Sequence, residues 1–134
     1  MEKKSFLKGT LPIGVSDFKK LREENRYYVD KSLLIQKVWE AGSDVLLFPR
    51  PRRFGKTLNL SMLRYFFEKT DDLNASLFNG LFIFQQPEMM AHQGQYPLIY
   101  LTFKDVKEMT WDNCLSHLRH LLVTEWFRVA PLIK

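Results

Sequence analysis

Two stretches of the chain are continuously apolar, the pattern of short strands covered on both faces. The first is 45–48, "VLLF", which Pro49 ends. The second is 96–103, "YPLIYLTF", rich in β-branched and aromatic residues. Both are far shorter than the run of about 20 apolar residues that spans a bilayer, so no membrane association is expected.

Elsewhere the apolar residues recur at helical spacing. A helix is predicted from Lys56 to about Lys69, with Leu60, Leu63 and Phe67 at i, i+3 and i+7. Thr110 is the expected N-cap of a longer helix that Pro131 closes. Its apolar positions recur at intervals of three and four, at Trp111, Leu115, Leu118, Leu122 and Trp126.

Shorter helices are predicted around these elements. Ser16 is expected to cap "SDFKKLREEN", either Asp30 or Ser32 to cap "KSLLIQKVWEA", and a helical turn to begin at Pro87. The alternation of helices and buried strands predicts an α/β fold, a layered domain with a parallel sheet. Two strands are too few for such a sheet, so we expect the chain to be part of a larger domain.

Composition narrows the class of protein. The 134 residues are 46% apolar, enough for a packed core, and Cys114 is the single cysteine. The basic N-terminus, "MEKKSFLKG", has no apolar segment of a secretory signal, so we expect a cytoplasmic protein. The net charge of +5 suits a phosphate-bearing partner, either a nucleotide or a nucleic acid.

The most informative chemistry lies where the first predicted strand meets the Lys56 helix, in "FPRPRRFGKT". Helix N-terminal amides attract anions, and a glycine at Gly55 permits the positive φ that a phosphate-binding loop needs. Lys56 can reach the β- and γ-phosphates, and the hydroxyl of Thr57 can ligate Mg²⁺. Including Lys56, four cations stand within seven residues; the others are Arg50, Arg52 and Arg53.

The loop departs from the G-x-x-x-x-G-K-[ST] pattern because Arg50 stands where the first glycine is expected. Pro49 and Pro51 fix φ on either side of it, which predicts a stiff loop. The alternative interpretation is a basic turn in which Thr57 caps the helix and Lys56 is solvated. Arg52 and Arg53 would then be solvated or paired with carboxylates elsewhere.

The segment from "LPIG" through "YYVDKS" to "RPRRFGKTLNLSMLRYFFE" resembles the bacterial AAA-ATPase-like family, over about residues 11 to 105. The phosphate loop of that family characteristically reads R-P-R-R-F-G-K-[ST], with arginine at the position of Arg50. The resemblance implies that ATP and Mg²⁺ bind at the loop 49–57. Its candidate nucleotide-binding residues are Arg52, Arg53, Phe54, Gly55, Lys56, Thr57 and Leu58, with Thr57 as the Mg²⁺ ligand.

The resemblance also implies parts that this chain lacks. A strand of the "LIDEYD" type would follow, and a restriction-endonuclease-like nuclease domain often closes such proteins, which makes DNA a partner of the full-length protein. In a strand of that type, Asp and Glu directly follow an apolar run, and Asp105 does not stand in such an arrangement. Because a carboxylate that helps hold Mg²⁺ and orients water is missing, we expect this chain alone to bind nucleotide without hydrolysing it. By analogy, Tyr28 or Val29 lines a base pocket; the alternative is that Tyr28 is core and Asp30 an N-cap.

The sequence also allows other interpretations of the chain's function. The basic cluster would equally serve a DNA- or RNA-binding module, and the aromatics of "YFFEK" and "LFIF" could stack on bases, although core packing is favoured. An inactive truncation product is a further alternative, and uncovered apolar surface would favour a homo-oligomer. Cys114, His117 and His120 spread over roughly 120° of one helix, which disfavours a metal site.

Overall fold

The computed structural model describes residues 9–133, so the basic run at residues 1–8 lies outside the described part. The chain divides into two compact units, Met1–Gln95 and Tyr96–Lys134. The α-helices are α1 (Phe18–Glu23), α2 (Leu33–Glu40), α3 (Lys56–Phe67), α4 (Pro87–Met90) and α5 (Trp111–Val129), and 3₁₀ segments cover Asn74–Phe78, Phe82–Gln85 and Ala130–Leu132.

Local signals explain where α1, α4 and α5 begin. The Oγ1 atom of Thr110 accepts the amide of Asn113 at 3.4 Å at the start of α5, which confirms the predicted cap. Helix α4 begins at Pro87, as predicted. The prediction of Ser16 as the cap of α1 is wrong: Asp17 is the N-cap, and its Oδ1 accepts the amide of Lys20 at 2.8 Å.

The core of the first unit is built on three aromatic rings. Phe18 of α1 stacks on Phe78 with centroids 5.2 Å apart, and Phe66 of α3 meets Phe78 edge-on at the same distance. The buried amide of Phe18 donates to Oγ of Ser61 at 2.9 Å, which joins α1 to α3. The core also includes Leu21, Ile35, Met62, Phe67, Leu77, Leu81, Ile83 and Met89.

Helix α3 buries only part of the predicted face: Phe67 is in the core, with Met62 and Phe66 beside it, but Leu60 and Leu63 are not. Met62 and Phe66 are fully buried, whereas Leu60 is 39% exposed and Leu63 is half-buried. Leu60 and Leu63 instead line a small cavity with Phe48. Helix α3 therefore has two apolar faces, of which the first unit covers one.

The described residues contain no β-sheet. Residues 45–48 are not helical, and Val45 and Leu47 are 83% and 85% exposed, so the burial predicted there is not found. A strand needs a partner to satisfy its backbone groups, and the described part of the chain provides none for this run. The parallel sheet stays a prediction.

The second unit consists of the segment 96–110 and the C-terminal helices. Arg128 donates to Oε2 of Glu125 at 2.7 Å and to the carbonyl of Leu98 at 2.8 Å, which fixes α5 against this segment. The helix is confirmed, but its predicted apolar stripe is largely exposed, with Trp126 at 57%. An open cavity of about 360 Å³ lies on this face.

Candidate functional site

The turn before α3 has an unusual backbone. Arg53 and Gly55 both have positive φ, 67° and 74°. Glycine reaches this conformation without strain, whereas arginine rarely adopts it. The positive φ predicted for Gly55 is confirmed. Turns with left-handed residues direct neighbouring amides to the same side, which is the geometry of backbone anion sites.

The N-terminus of α3 is open. Gly55 is the N-cap, no side chain caps the helix, and the first intrahelical bond runs from the amide of Asn59 to the carbonyl of Gly55 at 2.9 Å. The amides of Lys56, Thr57 and Leu58 precede that bond and carry the positive end of the helix dipole. The interpretation of Thr57 as the cap is wrong, because Thr57 lies inside the first turn.

The four cations around this turn are exposed. No carboxylate of the described residues forms an ion pair with Arg50, Arg52, Arg53 or Lys56. Among the described residues, the alternative of ion pairs for Arg52 and Arg53 therefore finds no partner. Within the described residues, these four positive charges therefore lie without a carboxylate partner beside the open helix terminus.

Two cavities flank the turn. The smaller one, about 30 Å³, has the side chains of Arg50 and Lys56 in its lining, together with Leu34, Phe48, Asn59, Leu60 and Leu63. The larger one, about 170 Å³, joins Gly55 and Leu58 to the candidate base-pocket residues Tyr28 and Val29. Its lining also includes Pro12, Leu21, Tyr27, Lys31 and Asn59. We call the larger one the Tyr28 cavity.

Not every candidate residue faces a cavity. Arg52, Arg53, Phe54 and Thr57 are exposed and line neither of the two. Asn59, which was not predicted, lines both. It lies one turn after Gly55, so a polar residue at this position of the helix was the available signal.

Tyr28 is half-buried; it packs against core residues and also lines the cavity. Its ring meets Phe18 edge-on at 5.5 Å, and its hydroxyl donates to Sδ of Met62 at 3.2 Å. The same hydroxyl accepts the amide of Lys31 at 3.3 Å. Burial is the main cause that raises the pKa of Tyr28 to about 12. The ring is therefore a fixed, neutral wall.

Asp30 connects the cavity wall to another part of the unit. Its Oδ1 accepts the amide and the hydroxyl of Ser32 at 2.8 and 2.6 Å, and its Oδ2 accepts the amide of Phe82 at 2.7 Å. Partial burial acts to raise the pKa of Asp30, but these hydrogen bonds outweigh it and the pKa is lowered. Of the two predicted caps of α2, Ser32 is the N-cap by position, and Asp30 binds its amide.

The remaining candidates fall outside this site. Nδ1 of His117 lies 3.2 Å from Oε1 of Glu108, and the described residues hold no group of three His, Cys, Asp or Glu side chains suited to a metal ion. Phe66 and Phe67 of "YFFEK" are buried, so core packing of these two rings is confirmed, whereas Phe82 and Phe84 of "LFIF" are 39% and 46% exposed. Within residues 9–133, no helix is both long and apolar enough to cross a membrane.

Comparison with protein families shows the class to which the chain belongs. The family model described as "Predicted AAA-ATPase" matches residues 12–130, so the chain belongs to the AAA-ATPase-like family. It is also 37% identical over 94 residues to the "Uncharacterized protein in vnfD 5'region" of Azotobacter chroococcum mcd 1. That alignment covers 69% of this chain and 17% of the relative. No solved structure matches the chain.

Proposed function

We propose that this chain binds the phosphates of ATP, with Mg²⁺, at the N-terminus of α3. One observation carries the proposal: Gly55 opens α3 in a left-handed conformation, without a side-chain cap, beside four cations that have no described ion-pair partner. Membership of a family described as predicted AAA-ATPases supports it.

Each residue of the turn has a separate task in this proposal. The amides of residues 55–58 bind phosphate oxygens, and the ammonium of Lys56 contacts the β- and γ-phosphates. Arg52 or Arg53 adds a charge-assisted hydrogen bond to a phosphate. Mg²⁺, when bound, neutralises charge on the phosphates, and the hydroxyl of Thr57 would ligate it.

The Tyr28 cavity would take the base. It begins at Gly55 and extends to Tyr28 and Val29, so a nucleotide anchored by its phosphates at the turn would direct its base there. Apolar walls with few polar groups are typical of base and cofactor pockets. Val29 is 56% exposed, so its side chain is available to a ligand.

We propose binding without hydrolysis for this chain. No carboxylate lines either cavity, and phosphoryl transfer to water needs a group that helps hold Mg²⁺ and orients the water. Asp105, which follows the second apolar run, is exposed and belongs to the second unit. The second apolar face of α3 supports the proposed P-loop fold, in which a parallel sheet would cover Leu60 and Leu63.

The proposal is tested by calorimetric titration with ATP in the presence and absence of Mg²⁺. Mg²⁺ should tighten ATP binding to the wild type, and the near-isosteric Thr57→Val variant should lose most of this gain because it lacks the hydroxyl ligand. Thr70→Val, an exposed threonine beyond the end of α3, is the matched control. A wild type that binds ATP in neither condition would contradict the proposal.

A second function is favoured by the exposed arginines alone: binding of a DNA or RNA backbone. Four phosphate contacts would give a slope of about −3.6 in log K against log salt concentration on duplex DNA. Such a slope, together with a failure of ATP to displace the nucleic acid, would favour nucleic-acid binding. A DNA target and a nuclease domain in the full-length protein remain predictions.

A further inference from the structure

The outer wall of the Tyr28 cavity is a segment without helix or strand. Residues 27–31 form no regular secondary structure, so no ladder of backbone hydrogen bonds holds them. Tyr28 and Val29 face the cavity from this segment, and Gly55 and Leu58 face it from the phosphate-loop side. The width of the cavity therefore depends on whatever fixes residues 27–31.

The amide of Tyr27 donates to the carbonyl of Thr10 at 2.9 Å at one end of this segment, and Asp30 provides the anchor at the other end. It lies next to Val29, and its carboxylate accepts the amide of Phe82, 52 residues away in the chain, at 2.7 Å. Ser32 adds a parallel bond, because its Oγ accepts the amide of Ile83 at 3.1 Å while donating to Oδ1 of Asp30 at 2.6 Å. Ile83 and Ser32 are fully buried, so the far end of this network is fixed in the core.

We propose that Asp30 is a positioning residue for the nucleobase: its bonds to Phe82 and Ser32 hold Tyr28 and Val29 at the distance from Gly55 and Leu58 that a base requires. Asp30 lines neither cavity and would not touch the ligand. The inference rests on the proposed function, because it assigns the Tyr28 cavity to the base of the nucleotide bound at the turn.

Asp30→Asn isolates this role. The substitution keeps the size of the side chain but replaces one acceptor oxygen with an amide group that only donates. One of the two anchors, the amide of Phe82 or the Ser32 group, then loses its acceptor. Asp17→Asn is the matched control: Asp17 also accepts a backbone amide and a bond from another helix, here from the hydroxyl of Tyr65 at 2.9 Å, and lines neither cavity.

The test compares two ligands on the full chain, MgATP and magnesium ribose 5-triphosphate, which has the phosphates and no base. We expect the wild type and Asp17→Asn to prefer ATP. Asp30→Asn should lose about tenfold in ATP affinity, through one unmade hydrogen bond of a charged group, and should bind ribose triphosphate within about twofold of the wild type. Ser32→Ala should shift the preference in the same direction, and a thermal melt of each variant reports whether it is folded.

Each outcome bears on a different claim. If Asp30→Asn weakens both ligands equally, or neither, Asp30 is only a structural residue and the inference is overturned while the phosphate site stands. If the wild type binds both ligands equally well, the Tyr28 cavity does not bind the base, and the role proposed for Asp30 is contradicted as well. If the wild type binds neither ligand, the proposed function itself is contradicted.

Discussion

Arg53 and Gly55 share the left-handed backbone conformation on either side of Phe54, with φ of 67° and 74°. One of the two residues is suited to it and the other is not. The strain at Arg53 is local and of the order of 1 kcal/mol. Its position in the turn that precedes α3 links the strained backbone to the site proposed for phosphate binding.

Gly55→Ala tests the effect of the backbone conformation at Gly55 without adding steric crowding. A Cβ at Gly55 would meet no atom within 4 Å, so the cost is conformational, about 1–2 kcal/mol in the free energy of unfolding. Gly80 is the matched control, with φ of 76° and equally open space. Chemical denaturation should show similar losses for both alanine variants, and calorimetry should show weaker ATP binding only for Gly55→Ala. Equal ATP affinity of the two variants would contradict the role of Gly55.

Arg53→Asn should relieve part of the strain, because asparagine tolerates the left-handed region better than arginine. We expect the free energy of unfolding to rise by about 0.5 kcal/mol. Arg52→Asn removes the same charge at an exposed neighbour that is not among the positive-φ residues, and should give no such gain. Denaturation curves that shift equally for the two variants would show that the backbone of Arg53 is not the cause.

Ser61→Ala should destabilise the first unit without touching the site. It leaves the buried amide of Phe18 without its acceptor, which costs about 1–3 kcal/mol. Ser76→Ala, which removes an exposed bond to the carbonyl of Leu73, should cost well under 1 kcal/mol. The measurement is the free energy of unfolding of each variant. If Ser61→Ala decreases it no more than Ser76→Ala does, the hydrogen bond between α1 and α3 contributes little to stability.

The free energy of unfolding should decrease at high pH because two tyrosines have raised pKa values in the folded chain. Burial is the main cause that raises the pKa of Tyr28 and of Tyr65 to about 12, from a usual value of 10.0. Their stabilising contribution is complete below pH 10 and is lost as the pH rises towards 12, because the unfolded chain releases these protons first. Tyr28→Phe should therefore show a shallower loss than the wild type between pH 10 and 12. Parallel curves of unfolding free energy against pH would exclude Tyr28 as a cause.

Local signals in the sequence predicted local structure well. The cap at Thr110, the start of α4 at Pro87 and the positive φ of Gly55 each depend on one or two neighbouring residues. These features could be read from residue type because their physical cause lies within a few bonds or one helical turn.

What the sequence could not predict depends on distant partners. Periodicity marked α3 as a helix, yet it could not say that Met62 and Phe66 would be buried instead of Leu60 and Leu63, because both pairs are apolar. The bond between Asp30 and Phe82 joins residues 52 positions apart, and no pattern within either segment indicates it. The GKT motif indicated the candidate site, and the polar Asn59 one turn later was a weaker local signal, whereas the width of the Tyr28 cavity follows from packing alone.

The most direct test of the proposed site is the affinity for MgATP of the wild type, Lys56→Ala and Lys69→Ala. Lys69 is an exposed lysine beyond the opposite end of α3, so both variants lose one positive charge. We expect the wild type and Lys69→Ala to bind MgATP alike and Lys56→Ala to lose at least about tenfold in affinity, since a charged contact to the phosphates is removed. Equal affinity of all three proteins would contradict the proposed site.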